Sequence, residues 1–209
     1  MHLLEAYALT AGCKVNHPHV HLEEIELPKD KYITFHGFSP KGPSKQYNKW
    51  EMVLRMLSLD KDFDYNIIQI GGSDDAKYEY ANHDYLGATN YHSLAYLIKN
   101  AELHLGFDSL PVHLASAFNR KIVAIYPWYA QNCGPYFSEP EDVVILEPDF
   151  SVFKPCFNVV DRFDLINTIE VSDIYQSVIN LLSKDKSDVT SVSSAVKPLK
   201  TLLCKACNL

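Results

Sequence analysis

The strongest constraint on the fold is a regular alternation of short apolar runs with segments of helical periodicity. The runs are apolar almost throughout, rather than at every second position, and lie at residues 31–38, 64–70, 85–89, 102–107, 121–126 and 142–146. Strands that are apolar on both faces are typical of parallel sheets covered by helices on both sides. The sequence therefore predicts an α/β protein built on a Rossmann-like, doubly wound parallel sheet.

Helices are predicted between these strands and at both ends of the sheet-forming region. They are expected over 1–12, from about 48 onward, and over 75–82, 91–101, 109–117 and 172–182. We divide the chain into an N-terminal helix and linker (1–30), a sheet domain (31–183) and a tail (184–209) whose polar composition predicts flexibility. The first helix has an apolar face, so we expect it to pack on another surface.

Composition excludes some classes of partner. The net charge of −7 leaves no basic surface of the kind that binds nucleic acid or an anionic membrane. Five scattered cysteines form a poor disulfide framework and indicate a reducing compartment. Residues 10–13 resemble a lipoprotein cleavage site, but no charged start or long apolar core precedes them. We therefore expect a cytoplasmic protein.

One stretch, residues 105–115, has the pattern of a strand, a tight turn and the start of a helix. Asp108 and Ser109 are preferred N-cap residues, and Pro111 suits a first helical turn. Free backbone N–H groups and the positive end of the helix dipole then converge on one point. This arrangement predicts an anion site, and a phosphate is the usual occupant.

Polar residues in two other loops are placed to join that site. Lys45 follows the first strand in a loop rich in Gly, Pro and Ser, where Ser39 and Ser44 are either hydroxyl donors or ordinary turn residues. Asp74 and Asp75 follow the second strand and can accept hydrogen bonds from ribose hydroxyls or cap a helix. Because the carboxyl ends of parallel strands share one edge, we expect these loops to converge with Asp108.

Two clusters have the residue types of metal ligands. His17, His19 and His21 alternate beside a proline, and Cys204 and Cys207 form a single CxxC pair in the tail. Neither cluster has further ligands nearby in the sequence. We interpret the histidines as part of an irregular linker and leave open whether the two cysteines share a metal between chains.

In this order and spacing, the motifs resemble glycosyltransferase family 9, the lipopolysaccharide heptosyltransferases. The resemblance covers residues 1–183 of this chain, which correspond to the C-terminal, nucleotide-sugar-binding half of the family's members. Four segments carry it: Ser44–Trp50 (SKQYNKW), Gly71–Asp75 (GGSDD), Asp108–Ala115 (DSLPVHLA) and Gly134–Tyr136 (GPY). Tyr126–Pro127 and Pro155–Cys156 also have family counterparts.

The resemblance implies one half of a GT-B fold and inverting, metal-independent glycosyl transfer without a cofactor. The donor would be a nucleotide diphosphate sugar, and the acceptor a saccharide or glycolipid. It assigns catalytic roles to Lys45, Asp108 and His113, and donor contacts to Ser39, Ser44, Asp74, Asp75, Ser109 and Leu110. Tyr91 and His92 would begin the helix that lines the base pocket. Core packing, a partner surface or sugar stacking would each explain the aromatic loop of Trp128, Tyr129 and Tyr136.

Two departures from the family pattern bear on activity. Leu110 stands where the family has a glycine close to the diphosphate, so its side chain either crowds the ligand or turns outward. The family's N-terminal domain, with the acceptor site and the general base, has no counterpart here, which implies a separate domain of that type or self-association. The alternative is a non-catalytic nucleotide-sugar-binding or interaction module. An unrelated Rossmann-like nicotinamide enzyme is disfavoured because GxGxxG is absent.

Overall fold

Six parallel strands form the single sheet of the computed structural model, which describes residues 1–37, 43–127, 130–151 and 165–183. The strands are β1 (Tyr32–His36), β2 (Asn66–Gly71), β3 (His83–Leu86), β4 (Leu103–Phe107), β5 (Lys121–Ile125) and β6 (Val143–Leu146). Their spatial order is β3-β2-β1-β4-β5-β6, and every pairing is parallel. This order confirms the predicted doubly wound sheet, with its reversal point between β1 and β4.

Helices cover both faces of the sheet, as the apolar strands require. Helices α2 (Trp50–Leu59) and α5 (Val171–Ser183) pack over one face, and α3 (Tyr91–Lys99) and α4 (Leu110–Ala117) over the other. All five residues of β4 are buried, because β4 lies inside the sheet and faces a helical layer on each side. Two apolar cores result, one on each face of the sheet.

The helix predicted over 75–82 is wrong, because these residues form turns and irregular structure. The side chain of Gln69, on β2, takes over the hydrogen bonding that a helix would provide. Its amide nitrogen donates to the Ala76 carbonyl at 2.6 Å, and its amide oxygen accepts from the Tyr78 N–H at 3.1 Å. The Tyr78 ring packs edge-on against Phe35, with centroids 5.2 Å apart, and holds the segment against the core.

Helix α1 (Leu3–Ala11) confirms the predicted N-terminal helix, and Gly12 ends it with left-handed backbone, at φ 66°. None of its residues is buried, so it adds nothing to either core. The irregular segment after it packs Val20, Leu22 and Ile25 against the α3 and α4 face of the sheet. In the described part of the chain, no helix has the length and apolar character needed to cross a membrane.

Candidate functional site

The predicted site forms where the carboxyl ends of β1 and β4 lie side by side. His36 ends β1 and is in register with Gly106 of β4. The chain leaves β1 toward a short 3₁₀ turn, Pro43–Lys45, and leaves β4 toward α4. This is the reversal point of the strand order, where open α/β sheets bind their ligands.

Lys45 and Asp108 form the centre of this site. The Lys45 Nζ donates to the Asp108 carboxylate at 2.7 Å and to the Asp108 backbone carbonyl at 2.8 Å. Burial alone would raise the pKa of Asp108, but the His113 imidazole and the Lys45 ammonium outweigh it and lower that pKa overall. Asp108 is therefore ionised at neutral pH and holds the Lys45 ammonium in one position.

His113 and Leu110 lie on the first turns of α4, beside this pair. The His113 Nε2 is 3.9 Å from the Asp108 Oδ1, and 44% of the His113 side chain is exposed. Leu110 begins the helix with ordinary helical backbone, so the position does not require glycine. The residue is 45% exposed, so its side chain lies outside the core.

Ser109 occupies the N-cap position that the sequence predicts, but its hydroxyl does not cap the helix. That hydroxyl lies 3.0 Å from the Nδ1 of His36 and 3.1 Å from the Phe107 carbonyl oxygen. The start of α4 is therefore left without a side-chain cap. Uncapped N–H groups and the helix dipole favour an anion at this position.

His36 is the site residue that the sequence analysis missed. Its Nε2 lies 3.6 Å from the Asp75 carboxylate, and its Nδ1 faces the Ser109 hydroxyl. Burial lowers the pKa of His36, although the Asp75 carboxylate opposes this, so the ring is neutral at pH 7. A carboxylate only accepts hydrogen bonds, so the ring proton belongs on Nε2. The Nδ1 is then an acceptor, and it and the Phe107 carbonyl both lie within reach of the single Ser109 hydroxyl proton. A polar residue at the carboxyl end of β1 was the signal available in the sequence.

The two acidic residues after β2 have different environments. Asp75 is nearly buried, and its carboxylate accepts from the Gly72 N–H at 2.9 Å, which closes the turn, so it caps this turn rather than a helix. Asp74 lies exposed beside it, where the Ser73 hydroxyl donates to its carboxylate at 3.3 Å. The ribose contact predicted for these residues stays a prediction, with Asp74 the more accessible of the two.

The remaining predicted residues either lie along the same edge of the sheet or fall outside the residues that the structure describes. Ser44 is half-buried in the turn with Lys45. Tyr91 and His92 are exposed at the start of α3, where the His92 Nδ1 is 3.1 Å from the His21 carbonyl oxygen. Their role in base binding stays a prediction. Outside the described residues lie Ser39, Trp128, Tyr129, Cys156, Cys204 and Cys207.

No group of three or more His, Cys, Asp or Glu side chains comes together as a metal site within the described ranges, which include the three linker histidines. The cation at the centre of the candidate site is the Lys45 ammonium. The arrangement is thus suited to an anion, with a fixed ammonium, an uncapped helix start and a neighbouring carboxylate and imidazole.

Comparison with known proteins gives a family and a fold. Residues 10–136 match the model of glycosyltransferase family 9 (heptosyltransferase). No sequence among curated proteins is significantly similar to the chain. Similar solved structures include the ADP-heptose lipopolysaccharide heptosyltransferase II of E. coli, which is 18% identical with a TM-score of 0.58 over 76% of this chain and 48% of that one.

Two further structures have the same fold. A family 9 glycosyltransferase of Veillonella parvula is 17% identical, with a TM-score of 0.59 over 74% of this chain and 46% of that one. The heptosyltransferase TibC of enterotoxigenic E. coli, in complex with ADP-D-β-D-heptose, is 16% identical, with a TM-score of 0.61 over 86% of this chain and 53% of that one. This chain spans about half the length of these relatives.

The structural matches confirm that the sheet is the Rossmann-like half of a GT-B fold. The sequence match covers most of the sheet and includes Lys45, Asp108 and His113. Since the family model matches more than half of its residues, this chain belongs to glycosyltransferase family 9.

Proposed function

We propose that this chain binds a nucleotide diphosphate sugar and is the donor-binding half of a glycosyltransferase of the heptosyltransferase type. The observation that carries the proposal is the Lys45 ammonium, which Asp108 fixes at the uncapped start of α4. Two of the three N–H donors of this ammonium are engaged with Asp108. No described residue accepts a hydrogen bond from the third donor, and we assign it to a phosphate oxygen of the ligand.

The proposed reaction is a single displacement that inverts the anomeric carbon. An acceptor hydroxyl forms the new bond to that carbon while the bond to the diphosphate oxygen breaks and its electron pair leaves with the diphosphate. Lys45 and the start of α4 stabilise the negative charge that develops there. This positive charge does the work that a divalent cation does in metal-assisted transfer, so the scheme needs no metal.

We assign the general base and the acceptor-binding site to a protein unit other than the part of the chain described above. The acceptor hydroxyl must lose a proton to a base, and Asp108 is poorly suited to this because its carboxylate is held by Lys45. We propose that the base and the site for a saccharide or glycolipid acceptor lie on the kind of unit that fills the other half of the relatives' length.

Calorimetric titration of the chain with ADP, GDP and UDP, and with a sugar conjugate of each, tests the proposal. Two heptosyltransferases of known structure carry ADP or ADP-heptose, so we expect the adenine compounds to bind best. A chain that binds none of these compounds would overturn the proposal. Release of nucleoside diphosphate from a bound donor then separates an enzyme from the alternative, a binding module without transfer activity.

A further inference from the structure

A cleft of about 350 Å³ lies between α1 and the start of α4, directly beside the candidate site. Leu3, Leu4 and Tyr7 of α1 line one side of it, and Asp108 and His113 are part of the opposite side. The volume is within the range of roughly 300–1,000 Å³ that is typical of small-molecule sites. The cleft therefore extends the Lys45–Asp108 site toward α1.

Specific polar contacts, and not core packing, hold α1 over this cleft. The His2 Nδ1 accepts from the Leu4 N–H at 3.2 Å, so the Nε2 carries the ring proton and donates to the Gly134 carbonyl at 3.0 Å. The Tyr136 hydroxyl donates to the Glu5 carboxylate at 3.1 Å. Since α1 buries no side chain, its apolar residues are left facing the cleft and solvent.

The two sides of the cleft differ in chemistry. Asp108 and His113 offer a carboxylate and an imidazole to hydroxyl groups, whereas Leu3, Leu4 and Tyr7 offer aliphatic and aromatic surface. A sugar ring has the same two kinds of surface: polar hydroxyl groups around its edge, and an apolar face of C–H groups. Asp108 lines this cleft and also holds Lys45, so the cleft adjoins the position proposed for the diphosphate.

We propose that α1 is part of the donor site, and that the cleft binds the sugar ring of the nucleotide sugar. Asp108 and His113 take its hydroxyl groups, and Tyr7, with Leu3 and Leu4, covers its C–H face. This inference rests on the proposed function and adds to it that α1 helps to select the sugar. The nucleotide without its sugar makes no contact with α1.

Titration of two α1 variants with ADP and with ADP-glucose and ADP-heptose tests this assignment. Tyr7→Ala removes a ring that lines the cleft and is 65% exposed. We expect it to weaken the binding of the ADP-sugars about fivefold and to leave ADP binding unchanged. Leu9→Ala is the matched control, because Leu9 lies on the same helix, is 67% exposed and does not line the cleft.

The outcomes separate this inference from the proposed function. If Tyr7→Ala weakens ADP and the ADP-sugars equally, or weakens neither, α1 takes no part in sugar binding and the inference is wrong, while nucleotide binding stands. If the unaltered chain binds no nucleoside diphosphate and none of its sugar conjugates, both proposals are wrong. Neither variant touches the core, and a thermal melt of each confirms that it is folded.

Discussion

The Lys45 ammonium lies 2.7 Å from the Asp108 carboxylate, although the two residues are 63 positions apart in the chain. The adjacency of β1 and β4 brings them together, because each residue follows the carboxyl end of one of these strands. The pair is only partly exposed, with 30% of the Lys45 side chain and 18% of the Asp108 side chain open to solvent. A phosphate that binds here meets a cation that is already in position.

Replacement of Lys45 tests this pairing. Lys45→Met removes the ammonium but keeps the length of the side chain, and we expect nucleoside diphosphate affinity to fall by about 10- to 100-fold, the value of a charge-assisted hydrogen bond. Lys77→Met is the control, since Lys77 pairs with Asp84 at an exposed position. Calorimetry on both variants gives the answer, and equal affinities for the two would contradict the role of Lys45.

The link from Asp75 through His36 to Ser109 predicts that phosphate binding takes up a proton. In the free protein burial lowers the pKa of His36, so the ring is neutral. The negative charge of a phosphate beside Ser109 raises that pKa, and the protonated ring then donates from Nδ1 to the Ser109 hydroxyl oxygen. The complex binds more protons than the free protein, so affinity rises as the pH falls toward the His36 pKa.

Titrations with ADP in two buffers of different ionisation enthalpy measure this uptake. We expect up to about one more proton for the unaltered chain than for His36→Gln. The phosphate of ADP titrates in the same range, but it contributes equally to both measurements. Identical proton uptake by the two proteins would show that His36 does not respond to the ligand.

Gly71 has no side chain, and the Asp75 carboxylate occupies the space where a Cβ would lie. Its φ is +157°, and a Cβ added at this position would overlap the Asp75 carboxylate. Gly71→Ala should therefore lower the free energy of unfolding by about 1–3 kcal/mol, from backbone strain and the displaced carboxylate together. Gly12→Ala provides the comparison, because Gly12 has a φ of +66° in open space and should lose only roughly 1 kcal/mol for the left-handed backbone.

Urea denaturation of both glycine variants measures these losses. The prediction requires the larger loss at Gly71. A loss at Gly71 no greater than that at Gly12 would mean that Asp75 moves aside without cost, and that the turn after β2 does not depend on its carboxylate.

His104, on β4, makes stability depend on pH. It is fully buried, and burial first, with the nearby His36 second, lowers its pKa from 6.5 to about 3. Between those values the unfolded chain binds a proton that the folded chain does not, so this residue makes the folded state less stable as the pH falls below 6.5. The expected loss is at most about 1.4 kcal/mol for each pH unit.

His104→Gln removes this titration and keeps a polar group for the Thr34 hydroxyl, which lies 3.0 Å from the His104 Nδ1. We compare the free energy of unfolding of the two proteins between pH 7 and pH 4. Carboxylates titrate in both, so the difference between the two curves isolates His104. Parallel curves would refute the prediction.

The sequence predicted the fold well, because an apolar strand pattern depends on local sequence. Each of the six strands overlaps one of the apolar runs predicted between residues 31 and 146. The segment after β2 was mispredicted as a helix because the side chain of Gln69 competes with helical hydrogen bonding there. A contact of this kind depends on the folded arrangement and has no local signal.

The site was predictable in part for the same reason. Lys45 and Asp108 each follow a predicted strand, and the sheet edge brings them together. His36 was missed because it is also a strand residue, and only the structure shows that its ring joins Ser109 to Asp75. The sequence predicts that α1 packs on another surface, but the hydrogen bond between Tyr136 and Glu5 spans 131 positions and follows no regular pattern, so that surface could not be identified.

Because α1 has no buried side chains, substitutions in it act differently from substitutions in the sheet. Substitutions in the sheet change stability and are constrained by packing on both faces, whereas substitutions in residues 3–11 leave the cores untouched. Local opening of α1 should also need much less free energy than global unfolding, so its amides should exchange with solvent early. Among the described α-helices, only α1 buries no side chain, so the wall that it gives the cleft can be altered without loss of the core.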